Sequence, residues 1–352
     1  MFFVGMGTAV PPNRYTQTQC WEAFRKSAQF AQLDWRARAI MQGVLLHDNG
    51  IDTRSLAIDA LDEVFDINPD TLHRRFATHA PDLATRSAAE ALREAGCEPH
   101  AVDAVIISTC TGYLCPGLTS YVAERLGLRA DVLALDLVGQ GCGAALPNLR
   151  TADALLGSMQ CETVLSICVE VCSAAFYLDG DLGVLVSACL FGDGAGAAVL
   201  TRVPIASARS VEWKAAGSRT HPAERDALRF EHKGGMLRNI LTPQVPRLAA
   251  EHAAIVFKEA IERQGLAHGD IHAWILHGGG RKVLAALRNT LGLNAEDIHW
   301  SSGVLREFGN ISSPFVYFVL RAALRDGAPG GWWWMSSFGA GFSCHGALLR
   351  VA

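Results

Sequence analysis

Three side chains of this 352-residue chain have types and settings that suit acyl chemistry: Cys142, His277 and Asn310. Cys142 lies in Asp136-Leu137-Val138-Gly139-Gln140-Gly141-Cys142-Gly143-Ala144-Ala145, after an apolar strand pattern and at the start of a helix pattern. Glycines on both sides let the backbone turn sharply and leave space beside the sulfur for a carbonyl. The positive end of a helix dipole lowers a thiol pKa, and a nearby imidazolium lowers it further, so the expected species is a thiolate nucleophile. Backbone N–H groups around it would serve a thioester carbonyl as oxyanion donors. His277 follows Trp274-Ile275-Leu276 and precedes Gly278-Gly279-Gly280. That places its ring at the carboxyl end of a buried strand, where α/β proteins put their sites. Asn310 taken alone reads as an ordinary helix start. Its place in an internal repeat is what marks it.

The elements that must position these residues come in two matching blocks. Ile106-Ile107-Ser108-Thr109-Cys110-Thr111-Gly112, with a helix ending at Leu126-Gly127-Leu128, matches Trp274-Ile275-Leu276-His277-Gly278-Gly279-Gly280, with a helix ending at Leu291-Gly292-Leu293. The interval from Gly112 to Gly280 equals that from Gly141 to Gly309, and the interval from Gly127 to Gly292 is only slightly shorter. One short indel accounts for the difference. If the halves pack about a pseudo-twofold axis, Cys142 and Asn310 sit at equivalent helix starts, and His277 converges on them from a central strand. Apolar runs such as Val105-Ile106-Ile107, Val132-Leu133-Ala134-Leu135 and Val164-Leu165-Ser166-Ile167-Cys168-Val169 alternate with helical stretches, which predicts an α/β sheet covered on both faces. Residues 1 to about 80 read as a helical cap between Thr16 and Phe76, and residues 204 to 246 as an insertion or lid. Trp332-Trp333-Trp334 reads as a buried strand.

Composition bounds the function. A net charge of −4 with 19% charged residues offers no polyanion-binding face, so nucleic acid is not an expected partner. No apolar run is long enough to span a bilayer, and Met1-Phe2-Phe3-Val4-Gly5-Met6-Gly7 lacks the basic flank of a signal peptide, so a soluble cytoplasmic protein is expected. The ten cysteines show no C-x-x-C spacing and are read as reduced thiols, mostly small buried hydrophobes. Gly139-x-Gly141-x-x-Ala144 mimics a dinucleotide fingerprint, but the next strand starts late and only Glu170 ends it, outside the fingerprint's spacing. Gly192-Asp193-Gly194-Ala195-Gly196 lacks the lysine of a phosphate-binding loop and reads as structural.

Five co-linear motifs carry a resemblance across residues 100 to 350: Gly141-Cys142-Gly143-Ala144, Leu190-Phe191-Gly192-Asp193-Gly194, His277-Gly278-Gly279-Gly280, Gly309-Asn310-Ile311-Ser312-Ser313 and Phe338-Gly339-Ala340-Gly341. Together they resemble a type III polyketide synthase of the chalcone and stilbene synthase superfamily. Glu170-Val171-Cys172-Ser173-Ala174-Ala175 is most similar to bacterial members. The resemblance implies a thiolase-like fold of two duplicated halves in five αβαβα layers, divided here as residues 1–205 and 206–352, and a homodimer. It implies that Cys142 carries the acyl group, and that His277 and Asn310 promote decarboxylation of malonyl-CoA. An imidazole N–H and an amide N–H would stabilise the resulting enolate oxygen without a metal. It also implies that Phe191 is the gatekeeper between CoA tunnel and cavity, that Cys172, Ala175, Ser312 and the tail Gly341 shape the cavity, and that Cys115 reaches across the dimer interface. Neither a metal nor a cofactor is expected, the CoA thioesters being substrates. Departures from the family are the lone Arg54 among acids in Leu45-Leu46-His47-Asp48-Asn49-Gly50-Ile51-Asp52-Thr53-Arg54, which leaves CoA anchoring open to delivery by an acyl carrier protein, and the lack of a second gatekeeper aromatic in Gly235-Met236-Leu237-Arg238-Asn239-Ile240-Leu241. The expected activity is iterative decarboxylative Claisen condensation ending in a pyrone, resorcinol or similar aromatic. The alternatives are a single-condensation enzyme like ketoacyl synthase III, a non-catalytic partner subunit that keeps the fold, and a dinucleotide oxidoreductase.

Overall fold

The chain is described by a computed structural model over residues 1–47, 49–204 and 209–352. In the first half, β1 (Phe2–Ala9) leads to a short hairpin of β2 (Arg14–Thr16) and β3 (Thr53–Ser55), and between those strands lie the cap helices α1 (Gln17–Phe24), α2 (Ala28–Gln32) and α3 (Trp35–Leu46). Each cap helix opens on a side-chain acceptor, Thr16, Ser27 and Asp34 in turn, which satisfies a first-turn N–H that would otherwise lack a partner. The long helix α4 (Pro69–Ala95) opens on Asn68 with proline at its first position. Then follow β4 (Ala104–Ser108), α5 (Leu118–Leu126), β5 (Leu133–Leu137), α6 (Ala145–Gly157), β6 (Thr163–Glu170), α7 (Leu182–Leu190) and β7 (Gly194–Thr201). The second half runs β8 (Val211–Thr220), the hairpin of β9 (Leu228–Lys233) and β10 (Met236–Leu241), α8 (Val245–Arg263), β11 (Ile271–Leu276), α9 (Arg281–Thr290), α10 (His299–Phe308), α11 (Phe315–Arg325), β12 (Gly331–Gly339) and β13 (Ser343–Val351).

The duplication is visible in the strand order. The sheet reads β5-β4-β6-β7-β1 through the first half and β8-β13-β12-β11 through the second, joined where Phe2 and Phe3 meet Glu212 and Val211. In one half β4 pairs parallel to β6, and β6 with β7 and β7 with β1 pair antiparallel. In the other, β11 pairs parallel to β12, and β12 with β13 and β13 with β8 pair antiparallel. Register repeats as well: Ser108 faces Cys168, and at the interval of the sequence repeat Leu276 faces Ser336. Helix α4 packs on the first half's strands and α8 on the second's, while α6 and α11 lie between and touch strands of both. These are the five layers of a thiolase-like fold. Strands β4, β6 and β7 are buried almost throughout, as a sheet covered on both faces requires.

Two expectations change. Residues 2–9 are not cap but a core strand, whose alternation of Phe3, Val4 and Met6 with glycines weakened the strand signal. Within residues 204 to 246, β8 is the first strand of the second half, and its exposed basic end concealed it in the sequence. Among the described residues of that range, the β9–β10 hairpin lies where a lid was expected, over the cavity described below. The boundary between residues 205 and 206, and Asp48 in the cap, lie outside the described residues. Trp333 and Trp334 are fully buried on β12, as expected. All ten cysteines are free. Among the described residues no helix is long and apolar enough to cross a membrane.

Candidate active site

Cys142 sits on the single 3-10 turn Gly141–Gly143 that opens into α6, and its side chain is buried. The end of β12 holds that turn. A Cβ at Gly339 would lie 2.2 Å from the Gln140 carbonyl oxygen and 2.5 Å from the Gly143 nitrogen, so only glycine allows this approach. Ser337 donates to the Gly143 carbonyl at 3.0 Å. From the opposite half, the Ser312 hydroxyl donates to Cys142 Sγ at 3.2 Å. Ser312 is left-handed, with φ of 57°, a conformation that costs a side chain about 1–3 kcal/mol and persists where surroundings enforce it. Asn310 Oδ1 enforces it by accepting the Ser312 N–H at 2.9 Å.

Asn310 is itself clamped across the seam between the halves. Its N–H donates to Leu190 O at 2.8 Å, and its carbonyl accepts from Gly192 N–H at 3.0 Å. Its amide Nδ2 donates to Gly279 O at 3.3 Å, a long bond that an incoming oxygen could replace. His277 lies at the end of β11, 1% exposed, with its ring between Phe315 and Phe338 at centroid distances of 5.2 and 5.0 Å. Among the described residues neither ring nitrogen has a hydrogen-bond partner. Burial in this aromatic slot lowers the His277 pKa to about 3, so the ring is a neutral imidazole at physiological pH.

Close to the sulfur lies a buried carboxylate to which the sequence alone assigns no chemical role. Glu170, the last residue of β6, accepts from the Ser313 hydroxyl at 2.7 Å, the Thr111 hydroxyl at 2.9 Å and the Cys110 N–H at 3.0 Å, with the Cys110 thiol at 3.3 Å and the Ser312 hydroxyl at 3.4 Å. Burial raises its pKa against the pull of these donors. Burial pushes the Cys142 thiol up to about 12; the Ser312 O–H opposes that rise and the Glu170 charge adds to it. The resting sulfur is therefore a protonated thiol rather than the thiolate expected from the helix start, because desolvation outweighs a partial dipole charge. Among the described residues no hydrogen bond joins Cys142 to His277.

A cavity with about 460 Å³ of empty space opens over Cys142. Of the predicted lining residues, Cys172, Ala175, Phe191 and Ser312 face it. Gly341 does not; its neighbour Ala340 does. Cys115 is exposed and lies outside this cavity, and the bond to Pro116 is cis. His277 and Asn310 are buried and do not line it. The hairpin adds Leu228, Arg229, Phe230 and Asn239, so its aromatic contribution to the lining comes from β9 rather than from residues 235–241.

Arg54, the lone basic residue of the 45–54 segment considered for CoA phosphate, is instead 3% exposed and turned inward. Its guanidinium donates to Ala188 O at 2.6 Å, Phe191 O at 2.8 Å and Gln17 Oε1 at 3.1 Å, which fixes the backbone of the gatekeeper position. Asp193 in the glycine loop accepts from Ala57 N–H, Ser173 N–H and the Ser173 hydroxyl at 2.6 to 2.8 Å. It ties β3 to the turn that carries Cys172 and Ala175, a structural role as expected.

Comparison with known proteins gives concordant matches. The family described as FAE1/Type III polyketide synthase-like protein matches residues 13–230, and the C-terminal domain of chalcone and stilbene synthases matches residues 222–352. The chain is 33% identical to the 1,3,6,8-tetrahydroxynaphthalene synthase of Streptomyces peucetius subsp. caesius, over 97% of this chain and 91% of that one. It is 30% identical to the 3,5-dihydroxyphenylacetyl-CoA synthase of Streptomyces toyocaensis, over 99% and 89%. The crystal structure of PKS-I from the brown alga Ectocarpus siliculosus superposes with a TM-score of 0.91 at 25% identity, covering 99% of this chain and 98% of that one.

Proposed function

The chain belongs to the type III polyketide synthases, and from that premise we propose that it loads an acyl starter from a CoA thioester onto Cys142, extends it repeatedly with malonyl-CoA, and releases a small cyclised aromatic or pyrone. The single observation that carries the reading is the Asn310–Ser312–Cys142 chain of hydrogen bonds across the seam. It hangs the nucleophile of one half on the oxyanion donor of the other. In loading, Sγ bonds to the starter carbonyl carbon, the C–S bond to CoA breaks, and the thiol proton leaves with CoA. In extension, loss of CO2 from malonyl-CoA leaves an enolate. The single N–H of the neutral, unpartnered His277 ring and the amide of Asn310 are the neutral donors available for its oxygen. The enolate carbon then attacks the Cys142 thioester carbonyl, the carbonyl–Sγ bond breaks and frees the sulfur, and the chain, two carbons longer, is left on the CoA of the malonyl unit, from which it returns to Cys142 for the next cycle.

The relatives' products, a tetrahydroxynaphthalene and a dihydroxyphenylacetyl thioester, support repeated extension and ring closure over a single condensation. The small Cys172 and Ala175 side chains support room for a folded chain. A second, mostly apolar cleft in the cap, which shares Phe176 with the first, supports an apolar starter. We place the enzyme in the cytoplasm, where free thiols stay reduced. We place Cys115 at a homodimer interface, on the support of exposed Tyr113 beside it and exposed Val138, two residues from the Asp136 that accepts from Thr119. The test is incubation of purified protein with radiolabelled malonyl-CoA and a panel of aliphatic and aromatic acyl-CoAs, wild type beside Cys142→Ala, with products read by mass. Polyketide masses that vanish in the variant are expected. Product formed only from a carrier-protein thioester would overturn delivery by CoA, and single-extension products alone would overturn the iterative reading.

A further inference from the structure

Away from the reaction cavity, the fold gathers two imidazoles and a carboxylate from separate elements of the second half. His221 follows β8, Glu224 lies in the 3-10 turn Pro222–Ala227 and His252 is in the middle of α8. Glu224 Oε2 is 2.7 Å from His252 Nε2 and 3.3 Å from His221 Nδ1. The two rings are 5.5 Å apart, and one ligating atom from each of the three residues lies within 4.8 Å of the others. A hydrogen bond between His252 and Glu224 accounts for only part of this. His221 Nδ1 is buried and makes no hydrogen bond despite its short distance to the carboxylate, and His252 Nδ1 is also buried without a partner. His252 is 7% exposed, so these are costly groups to leave unmatched. Arg247, the α8 cation whose charge reaches Glu224, is engaged by Glu251 at 2.7 Å.

We propose that His221, Glu224 and His252 form a binding site for a borderline divalent transition metal of the Zn²⁺ class. Two imidazoles and one carboxylate are the donor set such ions prefer. Tetrahedral zinc with bonds of about 2.0–2.2 Å holds its donors a little over 3 Å apart, a spacing these side chains reach by small rotations. A cation there takes His221 Nδ1, His252 Nε2 and the carboxylate together, and leaves a fourth position for water.

The site's place gives it a consequence. The turn carrying Glu224 runs directly into β9, whose Leu228, Arg229 and Phe230 roof the reaction cavity. The His221 backbone N–H donates to Phe342 O at 2.8 Å, and Phe342 stacks on Phe338, the ring beside His277. A bound cation would pin the root of the lid hairpin to α8. The role is positional, and it holds whatever starter the enzyme uses.

The experiment titrates chelator-treated full-length protein with Co²⁺ and reads its visible spectrum. One ion per chain is expected, with d–d bands of nitrogen and oxygen ligation and no thiolate charge-transfer band. His221→Ala, on the partly exposed rim, and Glu224→Gln should each weaken binding by more than about tenfold, since loss even of an outer-shell partner costs about 10–100-fold. Zn²⁺ should slow amide hydrogen exchange across residues 222–241 in wild type and not in His221→Ala. Equal affinity in wild type and both variants, a thiolate band, or no saturable binding would overturn the site. Binding without slowed exchange would overturn the pinning of the hairpin.

Discussion

The two halves share one backbone plan and divide the chemistry unequally. Ser108 and Leu276 end equivalent strands, Cys142 and Asn310 open equivalent turns before α6 and α11, and Glu170 at the end of β6 corresponds to Phe338 at the end of β12, each pair separated by the same interval of sequence. In the first half, the strand end is a carboxylate wrapped in hydroxyl, thiol and amide donors close to the sulfur. In the second it is an aromatic ring that keeps His277 dry and uncharged. One half is built to hold an acyl group, the other to meet a developing oxyanion with neutral donors. A duplicated fold supplies paired loops at strand ends, and divergence at a few positions turns the pair into two tools.

That comparison can be broken most severely at Asn310. In Asn310→Ala the oxyanion donor and the acceptor for Ser312 N–H go together, and malonyl-CoA decarboxylation should fall about 10²–10³-fold. Asn310→Asp keeps the acceptor, so its circular dichroism should stay near wild type while decarboxylation still falls. Decarboxylation at wild-type rate in both variants would end the assignment of an oxyanion donor to the second half.

The seam between the halves is the next target. Arg54→Met leaves the carbonyls of Ala188 and Phe191 without their donor in a buried setting, at a cost of about 1–3 kcal/mol for each unsatisfied group. Thermal unfolding should show a clear drop in Tm, and product lengths should broaden as Phe191 loosens. Unchanged Tm would mean that Arg54 does not hold the seam.

The first half's thiol makes a pH prediction. With the Cys142 pKa near 12, the thiolate fraction grows throughout the alkaline range, so iodoacetamide inactivation should rise about tenfold per unit between about pH 7 and 10. A plateau near neutrality would instead reveal a thiolate paired with an imidazolium. The smallest effect is expected at Glu170→Gln, where removal of the charge that raises the thiol pKa should speed alkylation at fixed pH severalfold. Slower alkylation would show that the carboxylate's main effect on the sulfur is through Ser312.

Much of this was legible in sequence because it is written in spacing. The repeat pointed to Asn310 although its local context is ordinary, and the apolar runs placed β4, β6 and β12. What stayed hidden depends on burial and on side chains that meet only after folding. Glu170 looked like a strand end, Arg54 like a ligand for phosphate and Cys142 like a thiolate, because charge can be read from a sequence while desolvation cannot. Strand β1 escaped through its glycines, β8 through its exposed basic end, and Phe230 because the lid aromatic sits one strand earlier than the family pattern suggests.

The most direct measurement of the division of labour is CO2 release from radiolabelled malonyl-CoA by Cys142→Ala, His277→Ala and Asn310→Ala side by side. Cys142→Ala should still release CO2 and yield acetyl-CoA without polyketide, while the two second-half variants lose release along with product. Release abolished in Cys142→Ala and retained in the other two would contradict the account.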